Sequence, residues 1–515
     1  KAKIEYNGYV GLQQVTRYPK MMNAYEYASL YNEAIYNNDP WRGANAYSQE
    51  QLMAYRNGTA GTDWWGETMR STAPQTSHNL SVTGGTERVK YYMSVGYMDQ
   101  GGILRSEDWN YKRYNVRSNL SVEITKGLNV ELGLSGRYDN RKRPYDADNL
   151  FRSAQMAIPT YSIYANDNPD YCGGVGDMAN PVHVSDSEYS GNEDRLRREF
   201  NGSLALTWKF PWVKGLIAKA LVAYDYTNTE WKTWRRDLTE YTYDYANEEY
   251  VGKEINTAYL ESKFENYEKP TYQFSLNYNN TFAKRHNIGA TFVWEMYNDK
   301  KNWVTGTRDF AIGLIPDLDY GNDSNQKSSG KTQKTAHAGW VGRLNYDYGN
   351  RYLVEFNFRY DGTYKFQRGN RWGFFPGVSL GWRVSEEDFF KKLLPDMDNL
   401  KIRASYAKVG DEGDFDAFQY LDGYTSHGSY IMGSGGVTSG MTTVGMANSW
   451  LTWYESKIMN VGFEVSYHRG LISMEFDWFR RNRSGLPATR SGSLPTVFGE
   501  SMPQENLNSD INTGF

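Results

Sequence analysis

Residues 113–123 read Arg113-Tyr-Asn-Val-Arg-Ser-Asn-Leu-Ser-Val-Glu123, with apolar groups at one parity and charges or amides at the other. Successive strand side chains point to opposite faces, so Tyr114, Val116, Leu120, Val122 and Ile124 share one face. Arg113, Arg117, Asn119, Ser121 and Glu123 share the other. This is a strand with a greasy face and a wet one.

The same alternation returns along the chain. Leu128, Val130, Leu132, Leu134 and Tyr138 oppose Asn129, Glu131, Ser135, Arg137 and Asp139; Phe200, Leu204, Leu206, Trp208 and Phe210 oppose Glu199, Asn201, Ser203, Thr207 and Lys209. Tyr272, Phe274, Leu276 and Tyr278, then Tyr352, Val354, Phe356, Phe358 and Tyr360, and later Ile472, Met474, Phe476 and Trp478, repeat the pattern. Strands of a water-soluble sandwich average about five or six residues, and these runs are roughly twice that. Long alternating strands fit a tilted wall crossing a bilayer.

Composition agrees. The chain has 515 residues with no compositional break that would mark a linker, and 16% of them are aromatic, including 43 Tyr. Tyrosines recur near predicted strand ends, where interfacial girdles sit. Mean hydropathy is −0.74, and no window approaches the roughly 18 apolar residues that a spanning helix needs. A barrel escapes hydropathy averaging because half of each strand faces a polar lumen. A net charge of −4 with no basic stripe gives no support for a nucleic-acid partner. Cys172 is the only cysteine, so an intrachain disulfide is impossible, and it reads as an ordinary loop residue.

Sixteen strands are predicted, near residues 3–14, 78–84, 90–100, 112–124, 128–140, 197–210, 216–227, 272–282, 287–297, 335–348, 352–361, 374–384, 400–409, 457–467, 471–481 and 506–515. Lys126-Gly127, Lys284-Arg285-His286, Gly349-Asn350 and Arg469-Gly470 read as tight turns. Residues 15–77, 141–194, 230–270, 300–334 and 410–456 read as long loops, with short helices over 23–36 and 48–55. Short turns on one rim and long excursions on the other are the habit of an outer-membrane barrel. The fold class is therefore all-β, an antiparallel transmembrane β-barrel occupying residues 1–515.

No catalytic constellation is present. The six histidines lack ligand spacing, and no Walker loop, nucleophile elbow or zinc signature occurs. Asp317 to Asp323 lacks the spacing of a calcium loop, and Glu386-Glu387-Asp388 reads as a hydrated turn. No metal or cofactor is expected. The loops hold Trp41, Trp64, Trp65, Trp231, Trp234, Trp303, Trp450 and Trp453 among amides and charges. Such mixtures bind sugars, whose C–H faces stack on rings while their hydroxyls meet amides and carboxylates. Trp64, Trp65, Trp231 and Trp234 are the candidate substrate-binding residues, although loop aromatics also pack on one another. Parity makes Arg113, Arg117, Asn119, Glu123 and Arg137 lumen-facing.

Two blocks carry a resemblance. His78-Asn-Leu-Ser-Val-Thr-Gly-Gly-Thr86, Val89-Lys-Tyr-Tyr-Met-Ser-Val-Gly-Tyr97, Gly101-Gly-Ile103 and Tyr111-Lys-Arg-Tyr-Asn-Val-Arg117 form the first. The second contains Arg343-Leu-Asn-Tyr-Asp-Tyr348, Arg351-Tyr-Leu353, Arg359-Tyr-Asp-Gly362, Arg371-Trp-Gly-Phe-Phe-Pro376, Gly381-Trp382 and Asn399-Leu-Lys-Ile-Arg-Ala-Ser-Tyr406. Both resemble the barrel of SusC-like (RagA-type) TonB-dependent transporters. In this reading Phe374, Phe375 and Trp382 suit a girdle, and Pro376 opens a strand.

The resemblance implies a multi-pass barrel of the bacterial outer membrane, closing with about 22 strands around a plugged lumen. Members begin with a plug that does not precede Lys1, and they continue past Phe515, so the sixteen strands are expected to be a segment of a longer protein. The family imports substrate with energy from the TonB complex, acting through regions absent here. A SusD-like surface lipoprotein caps the loops, and a dimer of transporter–lipoprotein pairs is allowed. The implied substrate is an oligosaccharide, with peptides as the alternative. A passive porin or adhesin barrel and a soluble glycan-active β protein are the remaining rivals, and no enzymatic activity is expected.

Overall fold

The computed structural model describes residues 2–39, 45–311, 313, 315–432, 436–490, 495–500 and 502–515. Its strands are β1 (Lys3–Gln14), β2 (Thr72–Gly85), β3 (Val89–Gly101), β4 (Asn110–Thr125), β5 (Leu128–Pro144), β6 (Gly191–Lys209), β7 (Leu216–Arg235), β8 (Leu238–Asp244), β9 (Glu249–Asn256) and β10 (Tyr259–Phe282). They continue as β11 (His286–Asp309), β12 (Lys327–Tyr348), β13 (Tyr352–Thr363), β14 (Trp372–Arg383), β15 (Met397–Asp411), β16 (Tyr424–Met432), β17 (Gly436–Thr443), β18 (Tyr454–Tyr467), β19 (Ile472–Thr489) and β20 (Gln504–Gly514). Sixteen of them form one antiparallel sheet in sequence order, with β1 and β20 at its edges. The hairpins β8–β9 and β16–β17 stand apart from it.

Each predicted strand is present. Their turn-side ends agree closely with the prediction, and their loop-side ends run further. β10 and β11 have 24 residues each, against the roughly 9–11 that a crossing requires. The outward parity of β10 carries Tyr272, Phe274, Leu276 and Tyr278 near its turn end, then Glu268 and Asn266 above them. Alternation reports lipid on one side, so it stops where both sides of the strand meet water. Much of residues 230–270 and 300–334, predicted as loops, is therefore wall.

Tight turns hold one rim. Gly349 and Asn350 adopt φ of +57° and +59°, the left-handed geometry that a primed hairpin turn demands and that Gly and Asn tolerate best. On the other rim, α1 (Ala24–Asn38) and α2 (Gln49–Asn57) fall where helices were predicted, each closed by a capping box, from Asn23 and from Ser48. The helices that follow include α3 (Trp64–Thr68) and α4 (Ala147–Met156).

The largest buried cores lie among these loops. Met69, Leu104, Leu150, Ala154, Cys172, Val184 and Leu238 form one cluster drawn from four successive loop regions, and Phe366, Phe375, Phe415, Leu451, Trp453 and Tyr454 form a second. The wall instead carries exposed large apolar groups outward, such as Val116, Leu206 and Phe356. Side by side across six strands run Val130, Leu206, Ala220, Phe274, Trp294 and Trp340. No helix of the described residues is long and apolar enough to cross a membrane.

Three local readings change, and that of Cys172 as a loop residue without a special role gains a reason. Phe375 is a core residue beside Trp453, 5.3 Å between ring centroids, because its parity points inward; Phe374 and Trp382 are exposed on the outer face. Pro376 lies inside β14, and pairing with β15 begins only at Gly377, so the missing donor falls just before that ladder. Glu387 is buried rather than hydrated: Tyr352 donates to its carboxylate at 2.7 Å, the Trp382 indole at 3.2 Å and Arg351 at 3.2 Å. Cys172 is packed in the loop core, where burial pushes its thiol pKa well up and leaves it inert.

Candidate substrate-facing site

Register fixes which side chains share the inner face. Arg113 lies opposite Asp139, which lies opposite Arg197, and Asn119 lies opposite Gly133 and then Ser203. Arg113, Arg117, Asn119, Glu123 and Arg137 all belong to the parity opposite the exposed apolar belt and share the inner face of the sheet. They do not form one site. Glu123 sits at the turn end and accepts from the Gly127 amide at 3.0 Å, which holds that turn.

Arg113, Arg117 and Arg137 meet near the loop side, around an inner-wall cavity of about 460 Å³ shared with Tyr92, Glu199 and Asn201. Arg137 approaches the fully buried Asp139 at 2.8 Å and Glu199 at 3.8 Å, and it donates to the Tyr111 hydroxyl at 3.0 Å. Arg195 reaches the other Asp139 oxygen at 3.3 Å, and Arg197 pairs with Glu199. Arg141, Arg195 and Arg197 are absent from the sequence-based candidates: Arg141 falls within residues read as loop, and Arg195 lies between that loop and the predicted strand. The inward parity of 195, 197 and 199 was the available signal.

The predicted tryptophans separate by role. Trp231 lies on β7 and faces inward; the Lys263 ammonium stands 4.7 Å from its ring and 5.4 Å from that of Trp303 on β11. Glu265 joins them through Lys263 at 3.5 Å and Lys301 at 2.8 Å. Two rings, two ammonium groups and a carboxylate thus form a ledge on the loop-side wall. Trp234, three residues on, has the other parity and is buried with Ala258, Leu260 and Phe310. Trp64 is 3% exposed, packs on Ala157 and Val175, and donates its indole N–H to the Ile158 carbonyl at 3.0 Å. Trp65 stacks on Tyr18, 5.2 Å between centroids, and with Tyr27, Tyr55, Arg70 and Arg105 lines a loop cavity of about 930 Å³. Trp453 is in the second loop core, Trp450 is exposed, and Trp41 lies outside the described residues.

Behind these surfaces the cap is densely bonded. The Asn180 amide donates to Glu240 on β8 at 2.5 Å, while its side chain donates to the Ile163 and Gly173 carbonyls, both at 2.9 Å. Burial raises the Glu240 carboxyl above the usual range and lowers the buried His183 imidazole to about 4. Among the described residues no group of three His, Cys, Asp or Glu side chains could hold a metal. Asp317 instead pairs with Lys232, and Asp323 with Arg308.

No family model matches the chain. TonB-dependent receptor SusC of Bacteroides thetaiotaomicron is 25% identical over 99% of this chain and 50% of its own length. TonB-dependent receptor P3 of Formosa agariphila is 26% identical over 100% of this chain and 48% of its own. The chain spans about half the length of the curated relatives it matches. Among solved structures, the RagAB peptide importer in its open-open state superposes with a TM-score of 0.79 at 18% identity, covering 100% of this chain and 57% of the other. With the sixteen-strand wall, its apolar belt and its loop-side cap, the chain is a β-barrel protein of the outer membrane, similar along its length to SusC-like TonB-dependent receptors.

Proposed function

We propose that the whole protein imports oligosaccharides across the outer membrane, drawing energy from the TonB complex and working with a SusD-like surface lipoprotein. TonB dependence rests on the likeness to the SusC receptor, which runs along 99% of the chain. The observation that carries the substrate class is the Trp231–Lys263–Trp303 ledge. A pyranose stacks its C–H face on such rings, and its hydroxyls are met by Glu265 and the neighbouring ammonium groups. The protein binds and passes its substrate without chemical change.

A second reading, peptide import, is favoured by one observation: the RagAB structures, titled as a peptide importer and a peptide transporter, superpose over the entire chain. The deciding experiment is calorimetry of the full-length protein against panels of oligosaccharides and peptides, followed by uptake with and without TonB. Saturable oligosaccharide binding with TonB-dependent uptake is the expected result. Binding of peptides alone overturns the carbohydrate reading, and uptake that persists without TonB makes the barrel a passive pore.

A further inference from the structure

The inner face of β4, β5 and β6 carries seven arginines toward its loop side: Arg113 and Arg117, then Arg137, Arg141 and Arg143, then Arg195 and Arg197. The carboxylates of the same face are fewer, and they are taken. Asp139 meets Arg137 and Arg195, Glu199 meets Arg137 and Arg197, and Glu193, with Asp148 of α4, holds Arg143. Among the described residues Arg113, Arg117 and Arg141 make no ion pair or side-chain hydrogen bond, and the Nε atoms of Arg113 and Arg141 are buried without an acceptor.

Two features make this more than a solvated charge run. Arg141 lies directly opposite Arg195 across the β5–β6 ladder, and like charges so placed repel. On the distant part of the same wall, several lumen-facing arginines have carboxylate partners. Arg343 pairs with Glu355, Arg359 with Asp361, and Arg403 with Glu464, Glu475 and Asp477. Arg113, Arg117 and Arg141 differ from these in having no carboxylate partner among the described residues. Their patch adjoins the cavity lined by Arg113, Arg117 and Arg137, and Arg195 lies opposite Trp231 of the aromatic ledge.

Guanidinium forks match the paired oxygens of carboxylates and sulfate esters. We infer that the transported oligosaccharide is anionic, with its carboxylate or sulfate groups bound by Arg113, Arg117 and Arg141 while a neighbouring ring rests on Trp231. This rests on the oligosaccharide reading above and narrows it.

The test titrates the full-length protein in detergent with an oligogalacturonide, a sulfated heparin disaccharide, a neutral malto-oligosaccharide and an aspartate-rich peptide, each at low and high salt. At least one acidic glycan is expected to bind roughly tenfold or more tightly than the neutral one and to weaken with salt. The two acidic arms separate carboxylate from sulfate. The triple variant R113Q/R117Q/R141Q should lose that preference, while R113K/R117K/R141K keeps a part of it, and heat-shifted gel mobility of both confirms an assembled barrel. Unchanged affinity in the glutamine variant, which an acidic stretch of the protein's own chain seated on the patch would produce, overturns the inference. Neutral binding that equals acidic binding does the same while leaving oligosaccharide import standing. Capture of the peptide in place of every glycan overturns both.

Discussion

Phe356 in the wall is 43% exposed, whereas Leu104 and Leu150 in the loop cap are 0% exposed. The wall presents its apolar side chains to lipid and is held by a continuous hydrogen-bonded ladder, which a bilayer demands because it offers backbone groups no water. The cap buries its apolar side chains against one another, as a soluble domain does. One chain thus carries two kinds of stability. A substitution in the cap should loosen the loops without dissolving the barrel, and one in the wall should impair insertion before it disturbs the loops.

The largest effect that separates them is expected in the cap cores. Trp64→Ala or Leu104→Ala removes a fully packed side chain, at a cost of roughly 3 to 5 kcal/mol. Hydrogen exchange should rise across α3, α4 and the 145–190 loop while heat-shifted gel mobility of the barrel is unchanged. Simultaneous collapse of the wall would show that cap and barrel are one cooperative unit.

Next is the wall itself. Arginine at Val116, Leu206 or Phe356 should cost about 2 to 4 kcal/mol at mid-bilayer, and far less at the lumen positions Asn119 or Ser203. Folding titrations into lipid vesicles measure both sets. Equal tolerance at outward and inward positions would remove the lipid-facing assignment of this parity.

The same contrast explains what the sequence could disclose. A bilayer imposes strict period-two patterning, so β1 is readable to the residue and every wall strand is readable near its turn. The upper halves of β10 and β11 have water on both sides, and no pattern marks their 24 residues as strand. Loop cores are assembled from residues far apart in sequence, such as Met69, Leu150 and Leu238, which periodicity cannot join. Trp231 and Trp234 look alike in sequence, and only strand parity, invisible once the segment reads as a loop, sends one to the lumen and the other into the core. The arginine patch was half legible: Arg113, Arg117 and Arg137 follow from alternation, while Arg141 and Arg195 required the register of β5 against β6.

A pH titration sharpens the comparison further, because the cap buries titratable groups that stay uncharged more easily than they ionise. The His183 imidazole is edge-on to Tyr164 and Tyr189, 5.5 and 4.8 Å between centroids, with Nδ1 unpartnered. Its pKa falls from near 6.5 to about 4 in the folded cap. A depressed value means stabilisation that is present above about 6.5 and is lost as pH drops toward 4. The protection factors of the Val184 and Ser185 amides, corrected for the intrinsic pH dependence of exchange, should therefore fall about tenfold or more over that window, and His183→Gln should flatten the response. Glu240 acts with the opposite sign: its raised pKa contributes stability at low pH that disappears as pH rises through the raised value. Glu240→Gln consequently steepens the acid loss that His183 causes. A pH profile indifferent to both variants would mean that water reaches these groups.

The smallest effect is the one nearest to function. Trp231→Ala removes a lumen-facing ring beside Lys263, in contact with neither loop core, so barrel assembly and cap exchange should not change. Affinity for an oligosaccharide should fall by the worth of one stacking contact, roughly 0.5 to 1.5 kcal/mol. Trp234→Ala is the internal control. It empties the Leu260 and Phe310 core without reaching the ledge, so it should raise exchange in β8 and β9 and alter binding only indirectly, through loosened loops. Calorimetry and exchange on the two variants give a double dissociation if parity assigns the roles correctly. If Trp231→Ala leaves binding untouched while Trp234→Ala abolishes it, the substrate contacts the cap rather than the wall, and the ledge is structural.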